Sequence, residues 1–322
     1  MARLRVGVLG CSDFAWRRAI PALLDVPELE LTAVASRSRE KAEKFAAAFG
    51  GEAVTGYERL LERGDVDAVY APLPAALHEE WALRSLEAGK HVFVEKPFAV
   101  SLASAKRVVE AARARGRLLM EDFAFVRHPR TAAALESAGR GDVGELRVLR
   151  ASFAFPLPSP ANIRWERSLG GGALLDCGVY TVRAAVLFLG PGLKVLSCRL
   201  KADPARGVDV AGAVTLESPS GVVAQLAFGF EHYYQCEVAL WGSSGRLVLE
   251  RAFTPAQDQE AVTWLERQGR REEQRFPAVN QYERIFRHFA LTAESGTGFE
   301  AEYRRILEQA ACVEAVMEGA RR

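Results

Sequence analysis

Leu4-Arg5-Val6-Gly7-Val8-Leu9-Gly10-Cys11-Ser12-Asp13-Phe14-Ala15 is the stretch that decides the fold. Its first six residues are short and mostly apolar, as expected of a strand buried on both faces. Phe14 to Leu24 then reads as a helix, so Gly10 to Ala15 fall where a strand turns into a helix. Dinucleotide sites place G-x-G-x-x-[GA] at such a turn, and here the pattern falls on Gly10, Ser12 and Ala15. Gly10 allows the tight turn. A small residue at 12 lets the backbone approach a pyrophosphate, and Ala15 lets the helix pack closely on the sheet. The helix N-terminus, with Asp13 and Phe14, offers N–H groups to the phosphates. Ser12 stands where the pattern has its second glycine, a departure that keeps the position small. By itself the fragment fits any tight strand-to-helix turn, and its context is what raises it.

That context is a long alternation. Leu29 to Ala35, Ala68 to Ala71, His91 to Glu95 and Leu118 to Glu121 read as further buried strands. Helices are expected at Arg39 to Phe49, His78 to Ala88 and Ser101 to Arg115. Strand and helix repeated in this way predict a doubly wound parallel sheet, the Rossmann arrangement. Past residue 125 the pattern changes. Strands are expected at Leu146 to Phe155, Lys194 to Lys201, Asp209 to Glu217, Val222 to Phe230, Cys236 to Trp241 and Arg246 to Leu249. Turn signals such as Ser218-Pro219-Ser220-Gly221 separate them, and few helices intervene, so the second sheet is expected to be largely antiparallel. Helices are expected at Gly172 to Leu189, Gln281 to Ser295 and Ala301 to Gly319. The fold class is therefore α/β: a dinucleotide-binding domain over 1–124 and an α+β domain with an open-faced sheet over 125–322.

Composition narrows the function. The 322 residues are 49% hydrophobic and 26% charged with a formal net charge of +1. A near-neutral chain lacks the clustered cations that phosphate backbones require, so no nucleic-acid partner is expected. The basic stretch Arg267 to Arg275 is interrupted by Glu and Gln and reads as solvated loop. No apolar run approaches the ~20 residues of a membrane helix, and no targeting segment is read at the start. Cysteines at 11, 177, 198, 236 and 312 form no C-x-x-C pair, which speaks against a zinc site and a disulfide framework. A reducing cytoplasm is expected.

The end of the second strand, Val34-Ala35-Ser36-Arg37-Ser38-Arg39, carries no carboxylate until Glu40. NAD sites hold the ribose 2′-hydroxyl with Asp or Glu there; Ser36 and Arg37 suit a 2′-phosphate instead, so NADP(H) is the expected coenzyme. Leu73 and Pro74 follow a strand end and are expected to border the coenzyme. His78 is grouped with the same surface, although it reads as opening a helix in preference to touching the substrate.

At Val94-Glu95-Lys96-Pro97 a sharper signal appears. A strand ending in Glu-Lys-Pro, then Gly170-Gly171-Gly172-Ala173-Leu174-Leu175-Asp176-Cys177-Gly178-Val179-Tyr180, resembles the Gfo/Idh/MocA family of oxidoreductases. Within it, the run from Arg164-Trp165 to Ala185 is similar to the sugar-nucleotide 3-ketoreductases of deoxysugar biosynthesis. Tyr180 stands where the commoner pattern has His, and Arg183 where many dehydrogenases have a second Asp. The resemblance implies NADPH-dependent reduction of the C3 ketone of a keto-deoxyhexose nucleotide, commonly dTDP-linked. Ketone reduction needs a hydride donor, an acid for the oxygen and a cation to stabilise its charge. NADPH, Tyr180 and Lys96 fill those roles, with Glu95 beside the coenzyme. Asp176 lies one helical turn before Tyr180 and is expected to orient Lys96 or a sugar hydroxyl. His128, Arg164 and Trp165 are expected to meet the substrate. No catalytic metal is expected. Two other readings share the motifs: a reductase of free sugars, dihydrodiols or similar polyols, and a non-catalytic NADP(H)-binding regulator. A homodimer or homotetramer through the C-terminal sheet is expected, because relatives associate by that face.

Overall fold

β1 (Leu4–Leu9) leads through a π-helical turn at Ala15–Ala19 into α1 (Ile20–Leu24) in the computed structural model, which describes residues 3–156, 159 and 161–321. Then come β2 (Leu29–Ser36), α2 (Arg39–Phe49), β3 (Glu52–Thr55), α3 (Tyr57–Leu61), β4 (Ala68–Ala71), α4 (His78–Glu87), β5 (His91–Glu95), α5 (Leu102–Arg115) and β6 (Leu119–Asp122). The six strands are parallel in the order β3-β2-β1-β4-β5-β6. From β1 the chain winds outward to β3, then restarts at β4 on the other side. That reversal opens a crevice at the carboxyl ends of β1 and β4, the point where such sheets take nucleotides. Val8, Val34, Val69 and Phe93 are wholly buried along the sheet. Ser38 and Ser101 cap α2 and α5, accepting from Lys41 N at 3.4 Å and Ser104 N at 3.2 Å. β3 and α3 lie outside the strands and helices expected from sequence; in β3 only Val54 is buried, too little to show as an apolar run.

The chain continues with α6 (Pro129–Arg140), β7 (Leu146–Ala154), a π turn at Leu174–Gly178 and α7 (Val179–Leu189). Seven strands follow: β8 (Lys194–Asp203), β9 (Val208–Glu217), β10 (Val223–Gly229), β11 (Gln235–Gly242), β12 (Gly245–Glu250), β13 (Ala261–Arg267) and β14 (Arg270–Phe276). They join β7 in one sheet, β14-β13-β12-β11-β7-β10-β9-β8, antiparallel throughout except for β10 with β7. α7 packs on β7 and β10, and Leu149, Phe153, Leu226 and Phe228 line the covered face. Arg150, Ala213, Gln225, Ala227 and Trp241 are exposed on the opposite face. Residues 267–275, expected as loop, form the β13–β14 turn and nearly all of β14, and neither α6 nor β13 was among the expected elements. β14 is a solvated edge strand whose pairing is made by backbone, so charged side chains leave it intact. One further expectation changes. Arg167–Leu189 has the length and mean hydropathy (1.5) of a membrane span, although 72% of its most apolar window is buried in the fold.

α8 (Gln281–Ser295) and α9 (Phe299–Gly319) close the chain. Two compact units result: Met1–Phe123 with Tyr282–Leu307, and Ala124–Gln281 with Glu308–Arg322. The change of pattern puts the boundary at 124/125 and 282–307 in the second domain, whereas in the fold residues 282–307 pack with the first unit. The reason is aromatic: Phe286 lies 5.1 Å from Tyr70 and 5.0 Å from Phe93, and Phe289 stacks on Phe93 at 5.2 Å.

Candidate active site

In the first unit the glycine turn is built as its chemistry requires. Gly10 sits at φ +114°, and a Cβ there would stand 2.8 Å from Leu73 Cδ2. Ser12 Oγ accepts from Ala15 N at 3.1 Å, Asp13 pairs with Arg17, and Ala15 is wholly buried. Phe14 lies edge-on to Tyr282 at 5.3 Å. At the end of β2, Ser36 Oγ accepts from Ser38 N at 3.1 Å, while Arg37 is exposed. Arg37 faces the phenol of Tyr57, whose pKa burial raises and Arg37 lowers in part. Burial pushes the nearby Cys11 thiol up to about 11, so it is neutral. The cradle at Gly10 and the exposed guanidinium between two serines fit a dinucleotide with a 2′-phosphate.

Lys96 follows β5 directly, before a cis Lys96–Pro97 bond. Beside it, Tyr70 Oη donates to Glu95 Oε1 at 2.6 Å, and Asp122 also hydrogen-bonds Glu95. Burial raises the Glu95 carboxyl, and burial with Glu95's charge raises the Tyr70 phenol. Glu121 Oε1 accepts from Phe98 N at 2.7 Å. His78 opens α4 as a buried residue, its ring nitrogens facing two main-chain carbonyls, Pro97 O at 2.9 Å and Leu73 O at 2.7 Å. Burial, the largest influence, lowers its pKa; the carbonyls oppose this, and the charge of Lys96 adds to it. Leu73 is buried and Pro74 half-buried.

In the second unit Asp176 and Tyr180 lie on one continuous helical run, four residues apart. Tyr180 is half-buried, and its ring packs against Phe153 (5.2 Å), Phe253 (5.5 Å) and Phe125 (6.1 Å). Arg164 Nε donates to Asp176 Oδ2 at 2.6 Å. Although burial opposes charge on Arg164, the Asp176 carboxylate leads the influences that hold its guanidinium protonated. Trp165 Nε1 donates to Ser159 O at 2.9 Å, and Arg206 lies over the indole at 4.1 Å. His128 is 1% exposed and caps α6, its Nδ1 accepting from Arg130 N at 3.2 Å. Arg183 is buried too.

Sequence reasoning missed Asp209. Its Oδ2 accepts from Leu174 N at 2.6 Å, capping the helical run that carries Asp176 and Tyr180. Burial raises its pKa, and main-chain donors at Leu174 and Ala173 oppose that. The glycine run exists for this contact: a Cβ at Gly172 (φ +120°) would lie 2.3 Å from Asp209 Oδ1, and one at Gly171 would lie 2.6 Å from Arg164 O. No local signal marks Asp209, because its partner is 35 residues earlier. Arg130 was missed as well. Its guanidinium is 1% exposed and donates to the carbonyls of Glu250 (2.6 Å) and Arg251.

A Rossmann sheet with this glycine turn, and a lysine at the neighbouring strand end, defines a dinucleotide-dependent oxidoreductase. The comparisons agree. Residues 4–123 match the model of the oxidoreductase family with an NAD-binding Rossmann fold, and residues 131–248 match the Gfo/Idh/MocA C-terminal domain. The chain belongs to the Gfo/Idh/MocA family. It is 46% identical over 318 residues to a dTDP-3,4-didehydro-2,6-dideoxy-alpha-D-glucose 3-reductase from Actinomadura kijaniata, covering 99% of this chain and 96% of the relative. A relative of the same name from Saccharopolyspora spinosa is 46% identical over 319 residues, covering 97% and 96%. Among solved structures, a 3-ketoreductase from Actinomadura kijaniata in complex with NADP and TDP-benzene superposes with a TM-score of 0.96 at 46% identity, covering 98% of each chain.

Proposed function

We propose that this protein uses NADPH to reduce the C3 ketone of a keto-deoxyhexose carried on dTDP. The observation that carries the reading is full-length similarity to 3-reductases of such sugars, coupled with Arg37 and two serines where a 2′-phosphate would be held. When bound, the reduced nicotinamide supplies hydride to the carbonyl carbon. The protein's own residues do the rest. Lys96 offers an ammonium to the carbonyl oxygen as charge grows there, and Tyr180 gives that oxygen its proton. Asp176 holds Arg164, and Arg164 with Trp165 meets the substrate. The coenzyme is held by Gly10, Ser12, Asp13, Phe14, Ala15, Ser36, Arg37, Leu73, Pro74, Glu95 and Lys96. Variants of the Actinomadura enzyme replace one lysine and one tyrosine, separated by the same number of residues as Lys96 and Tyr180, which supports both assignments.

We further place the protein in the cytoplasm as a homodimer or homotetramer joined through the open face of its second sheet. All five cysteines are free thiols, which suits a reducing compartment. The test is oxidation of NADPH in single turnover against a panel of keto-sugar nucleotides and free ketoses. Turnover confined to dTDP-linked 3-keto sugars is expected. Turnover of free ketoses without affinity for dTDP would move the assignment to a small-polyol reductase.

A further inference from the structure

His78 is 1% exposed, so a bound molecule has no access to its ring. Its two nitrogens instead face carbonyl oxygens of segments well apart in sequence, Leu73 O at 2.7 Å and Pro97 O at 2.9 Å. Carbonyl oxygens only accept, so the neutral ring donates to one of them and lies against the other, a rigid spacer between the two segments. Neither segment lies in a strand or helix: residues 72–74 follow β4, and residues 96–98 follow β5. The first carries the Leu73 side chain that sits on Gly10, where an added Cβ would find it at 2.8 Å. The second begins with Lys96. The ring thus stands between the loop that shapes the glycine turn and the turn that launches the lysine. Leu77 N→Pro74 O (2.9 Å) and Phe98 N→Glu121 Oε1 (2.7 Å) tie each segment to its own surroundings, whereas the His78 ring lies between the two.

We propose that His78 is a positioning residue for the reduction, its buried ring fixing Lys96 relative to the coenzyme turn from a place between the carbonyls of Leu73 and Pro97. The proposal rests on Lys96 being catalytic, and the experiment separates the two. Full-length wild type, His78→Asn, Lys96→Ala and the double variant are compared by three readouts. These are single-turnover rate, NADPH affinity from fluorescence titration, and thermal midpoint. A displaced lysine costs roughly 10²-fold in rate. His78→Asn is therefore expected to lose that much, with NADPH affinity held within about threefold. In the Lys96→Ala background the same substitution is expected to change the rate by less than about twofold, because the two residues act as one unit. An equal loss with and without Lys96, or no loss, overturns the proposal while leaving Lys96 catalytic. A weakened NADPH affinity with an unchanged rate also overturns it, assigning His78 to the coenzyme loop alone. Full activity of Lys96→Ala overturns both readings. If His78→Asn does not fold, His78→Gln, whose amide reaches one carbonyl, carries the same cycle.

Discussion

A single hydroxyl separates Tyr180 from phenylalanine, and its ring already packs among Phe125, Phe153 and Phe253. Tyr180→Phe keeps that packing and removes the proposed acid. We expect kcat to fall by about 10²–10⁴ with NADPH affinity and thermal midpoint unchanged, read by steady-state kinetics and calorimetry. His91 makes a prediction about pH. Burial, with Arg117 adding to it, lowers its pKa from 6.5 to about 4, and its Nδ1 accepts from Leu118 N at 2.9 Å. The unfolded ring takes a proton near pH 6.5 and the folded ring only near 4, so between those values unfolding binds a proton and stability declines as pH falls. The loss is about 2–3 kcal/mol across that window. His91→Gln, which keeps an acceptor for Leu118 N, should flatten the profile in denaturant titrations. Residues of this kind differ in how far sequence exposes them. Gly10, Arg37 and Lys96 stand at fixed places in a strand–turn–helix pattern and could be read. Asp209 and the bridge made by His78 could not, since each depends on contacts that only the folded chain creates.

At the level of elements, the helical run through Asp176 and Tyr180 begins against a carboxylate from another strand. Gly172→Ala sets a methyl 2.3 Å from Asp209 Oδ1 at a φ of +120°. We expect about 1–3 kcal/mol of destabilisation by urea unfolding, with a fall in turnover as the run shifts. Asp209→Ala should cost about 1 kcal/mol by leaving Leu174 N uncapped, and Asp209→Asn, which retains an acceptor, much less. Most strands and long helices were legible from apolar runs and their punctuation. β3 was not, with one buried residue in four, nor were α6, β13 and β14; in β14 charged residues occupy an edge strand that pairs through its main chain and through ion pairs such as Arg271–Glu266. The membrane-like length of 167–189 shows the same ambiguity in reverse: a core helix buried on most sides is as apolar as a span.

For the molecule as a whole, the open face of the eight-stranded sheet carries small exposed residues towards its β8 side, Ala213 paired with Ala227 across β9 and β10. Side chains this small leave the backbone open to close approach, and the proposed second copy would sit there. Ala227→Glu should shift sedimentation equilibrium toward the monomer while leaving the unfolding midpoint of the isolated subunit unchanged; an unaltered mass would place the contact elsewhere. The two-part organisation was legible in the change of pattern near residue 125, but the return of the chain to its first unit was not, because amphipathic helices carry no address. That return bears on biosynthesis. Tyr70 and Phe93 are translated early, whereas the Phe286 and Phe289 that cover them emerge only after the entire eight-stranded sheet has been made. On the ribosome the nucleotide-binding half must wait, greasy side out, for its own lid, and a gene fragment cut where that half seems to end would yield a chaperone client in place of a domain.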